Sequence, residues 1–214
     1  MSGTGKFISF EGGEGCGKTT QLKLLAETLT VKGISLIATR ELGGTPGAEA
    51  LRPVMQSGDT DRWDAVSEAL IVYAGRHDHT VRKIKPTLAA GQWVLSDRYF
   101  DTSWVYQGYA AGQPIENLKT IQNIAIGDFK PDLTLIFDID VETGLKRAMH
   151  DATQRAEENT RFERKGHEFH QRVREGFLTI LQDNPDRCVR IDAAGSIAEV
   201  RARVWQVVRE RFAL

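Results

Sequence analysis

Gly12-Gly13-Glu14-Gly15-Cys16-Gly17-Lys18-Thr19 is the stretch that decides how this 214-residue chain is read. It has the form G-x-x-x-x-G-K-T, and it joins two runs of different periodicity. Lys6-Phe7-Ile8-Ser9-Phe10 ahead of it reads as a buried strand. Thr20 to Leu29 behind it places apolar residues three and four apart, which is a helix pattern. A glycine-rich turn at such a junction aims backbone N–H groups and the positive end of a helix dipole at one spot. That spot binds phosphate. Gly12, Gly13, Glu14, Gly15, Cys16, Gly17, Lys18, Thr19 and Thr20 are therefore expected around a nucleoside triphosphate. Lys18 is expected on its β/γ oxygens and the Thr19 hydroxyl on Mg²⁺.

Outward from this loop, strand-like and helical runs alternate. Ile34–Thr39, Trp93–Ser96, Leu133–Asp138 and Cys188–Asp192 read as further strands. Residues 63–90 read as mostly helical, and Ser196 to Phe212 as a closing amphipathic helix. Most of the strands are apolar continuously rather than alternately, which suits burial on both faces of a parallel sheet. The expected fold is a three-layer α/β domain with a five-stranded parallel sheet flanked by helices. Ligands in such sheets bind beyond the carboxyl ends of the strands. The glycine loop, Arg40-Glu41, Asp97-Arg98-Tyr99 and Asp138 all fall at such ends.

Composition narrows the partners. A net charge of −1 gives no global pull toward nucleic acid or an anionic membrane, so neither is expected as a partner. No apolar run is long enough to span a bilayer. Two cysteines, Cys16 and Cys188, lack metal-ligand spacing, which points to a reducing cytoplasm. Residues 150–166 break the α/β pattern: they are crowded with charge, including Arg155, Arg161, Arg164 and Lys165. They read either as a solvated helical hairpin or as a lid carrying cations over a phosphate site.

Two further segments sharpen the reading. Thr39-Arg40-Glu41-Leu42-Gly43-Gly44-Thr45 follows the second strand, and Asp97-Arg98-Tyr99 follows the third. Together with the glycine loop and Arg161-Phe162-Glu163, they resemble the thymidylate kinase family of nucleoside monophosphate kinases over nearly the whole chain. The resemblance implies a P-loop kinase fold in one domain, residues 1–214, with a lid at about 150–166. It also implies a homodimer, ATP as phosphoryl donor with Mg²⁺, and a thymidylate-like acceptor. An arginine just past a strand end can clamp a phosphoryl group with two parallel hydrogen bonds. Arg98 fits that place, and the resemblance sets it between the acceptor phosphate and the γ-phosphoryl. Asp97 is placed to order Mg²⁺. The alternative for both is a structural ion pair. The loop has no arginine of its own, so the catalytic cation is expected from the lid, from Arg155 or Arg161. Glu14 is implied at the 3′-hydroxyl of the acceptor sugar. Arg40 and Arg52 are candidates for its phosphate, or else surface ion pairs. No catalytic histidine or Ser-His-Asp set is needed. A monophosphate, with a second pKa of about 6, is already a dianionic nucleophile.

The base pocket departs from the family pattern. In Leu70-Ile71-Val72-Tyr73-Ala74-Gly75-Arg76, Arg76 falls where the family bonds the base, but Val72 stands where an aromatic ring stacks. Tyr73 is next door, about 100° round the helix. Ser103 and Gln107 are implied at the base edge and Tyr106 against the sugar. Capping and surface exposure are the alternative for Ser103 and Gln107. Leu42 replaces a proline, and Thr160 replaces the lid aspartate. Three functions stay open: a thymidylate kinase, a kinase for another 5-modified deoxypyrimidine monophosphate, and a nucleotide-binding module without catalysis.

Overall fold

The computed structural model describes residues 5–155, 161–162 and 164–214, without the side chains of 151–155. The elements in chain order are β1 (Phe7–Gly12), α1 (Lys18–Val31), β2 (Leu36–Arg40), α2 (Pro46–Gln56) and α3 (Ala65–His79). A π-helical turn (Thr80–Ile84) runs into α4 (Lys85–Ala89), followed by β3 (Trp93–Asp97) and α5 (Phe100–Ser103). A second π-helical stretch (Trp104–Ala110) precedes α6 (Ile115–Ile126), β4 (Leu133–Asp138) and α7 (Val141–Arg155). The chain closes with α8 (His167–Asp183), β5 (Cys188–Asp192) and α9 (Ile197–Phe212).

All five strands are parallel, in the order β2-β3-β1-β4-β5. The expected sheet is therefore present, with β1 at its centre. β1 and β4 are buried along their whole length and read as unbroken apolar runs, apart from the polar groups discussed below. The edge strands β2 and β5 are half exposed. Two boundaries differ from the sequence reading for clear reasons. The second strand begins at Leu36 rather than Ile34, because the Ile34 N–H closes the end of α1 on the Leu29 carbonyl at 3.0 Å. Ser196 is not helical but caps α9, in a reciprocal capping box with Glu199.

The pleat sorts each strand between two layers. Ile8, Phe10, Leu133, Leu135 and Phe137 pack with Leu22, Leu25 and Leu29 of α1 and with Val200, Val204 and Val208 of α9. Phe7, Val94, Ile136 and Cys188 face the other way, toward the helices from α3 to α8. The second face also carries polar groups of β1 and β4. Ser9 and Thr134 share a hydrogen bond of 2.8 Å, and Glu11 is buried near the end of β1. Because β1 is central, the turn after it opens where the connections leave the sheet in opposite directions, the usual place for a ligand crevice. Among the described residues no helix is long and apolar enough to cross a membrane.

Candidate active site

The turn after β1 is shaped by glycine. Gly17 caps α1 in the left-handed region at φ 88°. Gly15 lies so close to α7 that a Cβ there would come within 1.9 Å of the Gly144 carbonyl oxygen. A Cβ on Gly144 would in turn meet the Glu14 carbonyl oxygen at 2.6 Å. The loop curls around Lys18, whose Nζ donates to the carbonyls of Gly12 at 3.1 Å and Gly13 at 2.6 Å and lies 3.3 Å from Cys16 Sγ. The Cys16 thiol donates to the Gly13 carbonyl.

A cleft of about 1350 Å³ opens over this loop at the carboxyl ends of the strands. One wall comes from residues 14–21, from Lys146, Arg147 and His150 of α7, and from Ala193 and residues 195–197 with Val200. The other wall comes from Arg40, Arg52, Val72, Arg76, Arg98, Tyr106 and Gln107. Asp97 also lines the cleft and accepts from the Thr19 hydroxyl at 2.5 Å. The two residues expected at Mg²⁺ are thus in contact. A hydroxyl and a carboxylate are hard oxygen ligands of the kind Mg²⁺ takes while keeping waters and substrate phosphate, so the donor set fits that ion.

Arg98 sits at φ 70°, in the left-handed region that a side chain with a Cβ rarely adopts. Three hydrogen bonds hold it there. Its N–H donates to the Phe10 carbonyl at 2.9 Å, its carbonyl accepts from Ser96 Oγ at 2.8 Å, and the next N–H, of Tyr99, donates to Glu11 Oε1 at 2.7 Å. The guanidinium then reaches the Gly12 carbonyl at 3.1 Å and Glu14 Oε1 at 3.1 Å. Burial opposes its charge, but Tyr106, Glu14 and Asp97 outweigh that and raise its pKa. Glu14 is the mirror case. Burial pushes its carboxyl up, while Arg98, Lys18 and a 2.7 Å hydrogen bond from the Tyr106 hydroxyl hold it below its ordinary value.

Arg76 is almost fully buried at 1% exposure. Its Nε donates to Glu41 Oε2 at 2.7 Å, and its terminal nitrogens donate to Ser103 Oγ at 2.8 Å and the Tyr99 carbonyl at 3.0 Å. Tyr73 packs its ring against the Arg76 guanidinium, 4.5 Å away, and gives its hydroxyl to Gln122. It does not take the place that Val72 leaves in the cleft wall. Ser103 is fully buried and does not line the cleft; its hydroxyl holds Arg76 instead. Gln107 does line the cleft. Arg40 is exposed and pairs with Glu49 at 3.0 Å, and Arg52 donates to the Leu42 carbonyl at 2.9 Å. The Glu41–Leu42 peptide is cis.

The described residues of the lid segment fall in different places. Arg161, expected at the phosphates, is fully buried and does not line the cleft. Its guanidinium pairs with Glu68 and donates to the carbonyls of Met55 at 2.9 Å and Thr60 at 3.1 Å, so its donors are turned away from the loop. Phe162 and Arg164 of the same segment do line the cleft. The Arg155 side chain and Thr160 lie outside the described residues. The sequence reading gave no role to Glu11 or Glu68. Glu11 has a visible signal, a charge directly after the apolar run of β1; Glu68 has none.

A family model described as thymidylate kinase matches residues 10–204. The thymidylate kinase of Bradyrhizobium sp. strain BTAi1 is 46% identical over 210 residues, covering 98% of this chain and 92% of that protein. That of Caulobacter vibrioides is also 46% identical, covering 98% and 99%. The chain belongs to the thymidylate kinase family. The crystal structure of thymidylate kinase from Ehrlichia chaffeensis superposes with a TM-score of 0.74 at 33% identity, covering 95% of this chain and 98% of that one. The fold of the family, a P-loop nucleoside monophosphate kinase, is therefore the fold found here.

Proposed function

We propose that this enzyme transfers the γ-phosphoryl group of ATP to thymidine monophosphate, giving the diphosphate. One observation carries the reading. Lys18 and Arg98, a loop cation and a strand-end cation, converge on the same atom, the Gly12 carbonyl oxygen, each at 3.1 Å. Two phosphate-binding cations that share one oxygen suit a reaction in which one phosphoryl group passes between two anions. Lys18 and the loop N–H groups hold the donor phosphates. Thr19 and Asp97 would hold Mg²⁺, which when bound would neutralise charge on the phosphates. Arg98 steadies the acceptor phosphate beside them. That phosphate, a dianion at neutral pH, needs no general base. Glu14, kept ionised by Arg98, accepts from the acceptor sugar. Arg40 and Arg52 supply further positive charge, and Val72, Arg76, Tyr106 and Gln107 receive the nucleoside. The lid segment contributes through Arg155 and Arg164.

A coupled assay with ATP, Mg²⁺ and a panel of pyrimidine monophosphates tests this. Thymidylate is expected to give the highest kcat/KM. Lys18→Ala is expected to cut kcat by ~10³-fold or more while the thermal midpoint holds. Preference for another monophosphate would move the reading to the 5-modified deoxypyrimidine alternative. No turnover with any of them would leave a binding module. We further infer a cytoplasmic homodimer: both cysteines are free, and Val66, Leu70 and Ile124 are exposed on α3 and α6. Sedimentation velocity reads the assembly state directly.

A further inference from the structure

Glu68, on α3 one turn before Val72, is a carboxylate with 1% exposure. Both of its oxygens are engaged. Oε1 accepts from the Arg161 guanidinium, and Oε2 accepts from Gln107 Nε2 at 3.0 Å. The other end of that amide, Gln107 Oε1, is buried and accepts from no donor among the described residues. Gln107 nevertheless lines the cleft, together with Val72 and Arg76. A buried acceptor without a donor loses the hydrogen bond that water gives it in the unfolded chain. Such an atom on a residue that lines the cleft is explained when the ligand brings the missing donor.

The two ends of a glutamine amide are nearly the same shape but opposite in hydrogen bonding, so the neighbour decides which end faces a ligand. An ionised carboxylate only accepts. Glu68 therefore draws the NH₂ group to itself and leaves the carbonyl for the cleft. We propose that Glu68 is a positioning residue for base choice. By fixing the Gln107 amide, it makes the site present an acceptor, and the site selects pyrimidines that carry an N3–H, the imide of thymine or uracil. Cytosine, whose ring N3 is itself an acceptor, meets two lone pairs face to face. Arg161 completes the device from the far side. It neutralises Glu68 and ties the segment that follows residue 160 to the same carboxylate. This inference rests on the reading of the α3 wall as the acceptor site.

The test is the ratio of kcat/KM for thymidylate to that for deoxycytidylate. Glu68→Gln lets either end of the Gln107 amide face residue 68, and the ratio is expected to fall by at least about tenfold, mainly through the KM for thymidylate. In a Gln107→Leu background the same substitution should no longer change the ratio. A folded Glu68→Gln enzyme with the wild-type ratio would overturn the inference. So would a change that persists in Gln107→Leu. If Glu68→Gln does not fold, the wild type decides: N3-methylthymidine monophosphate should bind at least about tenfold more weakly than thymidylate, and equal binding overturns the proposal. Wild-type enzyme that turns over no thymidylate would instead refute the acceptor-site reading beneath it.

Discussion

The loop wall of the cleft is held chiefly by its own backbone, whereas the α3 wall is held by buried charge. In the loop, glycine conformations and carbonyl groups do the positioning, and Lys18 is anchored to atoms five and six residues away. Across the cleft, Arg76 leans on Glu41 and Arg161 on Glu68, over separations of 35 and 93 residues. The difference is one of tolerance. A wall built from backbone accepts changes of side chain but not of chain path. A wall built from ion pairs keeps its path and fails when one partner is removed, because the other is left charged and desolvated.

Glu41→Ala is the strongest way to break the second wall. It strands Arg76 and also removes an acceptor 3.3 Å from His79 Nδ1. A loss of about 3–5 kcal/mol is expected, or roughly 10 °C in thermal midpoint, with the KM for thymidylate raised and that for ATP little changed. A loss within 1 kcal/mol would show that charge pairs do not hold this wall. Glu11 sharpens the comparison from beneath, since it fixes the strand-end turn that both walls share. Burial, and then the Asp101 charge, push its carboxyl up to about 8. The unfolded chain ionises it near the ordinary 4.5. Between those values the unfolded state sheds a proton that the folded state keeps, so its contribution to stability falls as pH rises. Glu11→Gln should therefore lose less thermal midpoint than the wild type between pH ~5 and ~8.5, by several degrees. Parallel curves would refute the assignment. Val72→Phe is the mildest change. An aromatic ring there is expected to lower the KM for thymidylate about fivefold, near 1 kcal/mol of stacking, with the KM for ATP unmoved. A rise in KM would mean that Val72 keeps room the substrate needs.

Legibility followed the same divide. The loop could be read from eight residues and the runs on either side of them, because its glycine turn and the hydrogen bonds that anchor Lys18 are local. The long buried strands β1 and β4 were equally plain, as continuous apolar runs. The ion pairs were not, because nothing in the sequence around Glu41 or Glu68 says which arginine it will meet. Ser103 shows the cost. The resemblance places Ser103 and Gln107 at the base edge; in the fold the Ser103 hydroxyl meets Arg76 and Gln107 lines the cleft. Arg161 was legible as a lid cation and not as the buried partner of Glu68. That pairing depends on how the segment after residue 160 packs against α3.

The contact between Gly15 and Gly144 has an evolutionary consequence. In each direction the obstructing atom is a main-chain carbonyl oxygen, at 1.9 and 2.6 Å from the would-be Cβ. Every amino acid carries that atom, so no substitution at one position can make room for a side chain at the other. The two glycines, 129 residues apart, cannot be traded against any neighbour. A descendant of this sequence can remake the whole α3 wall one compensated pair at a time, but it inherits this contact or loses the loop.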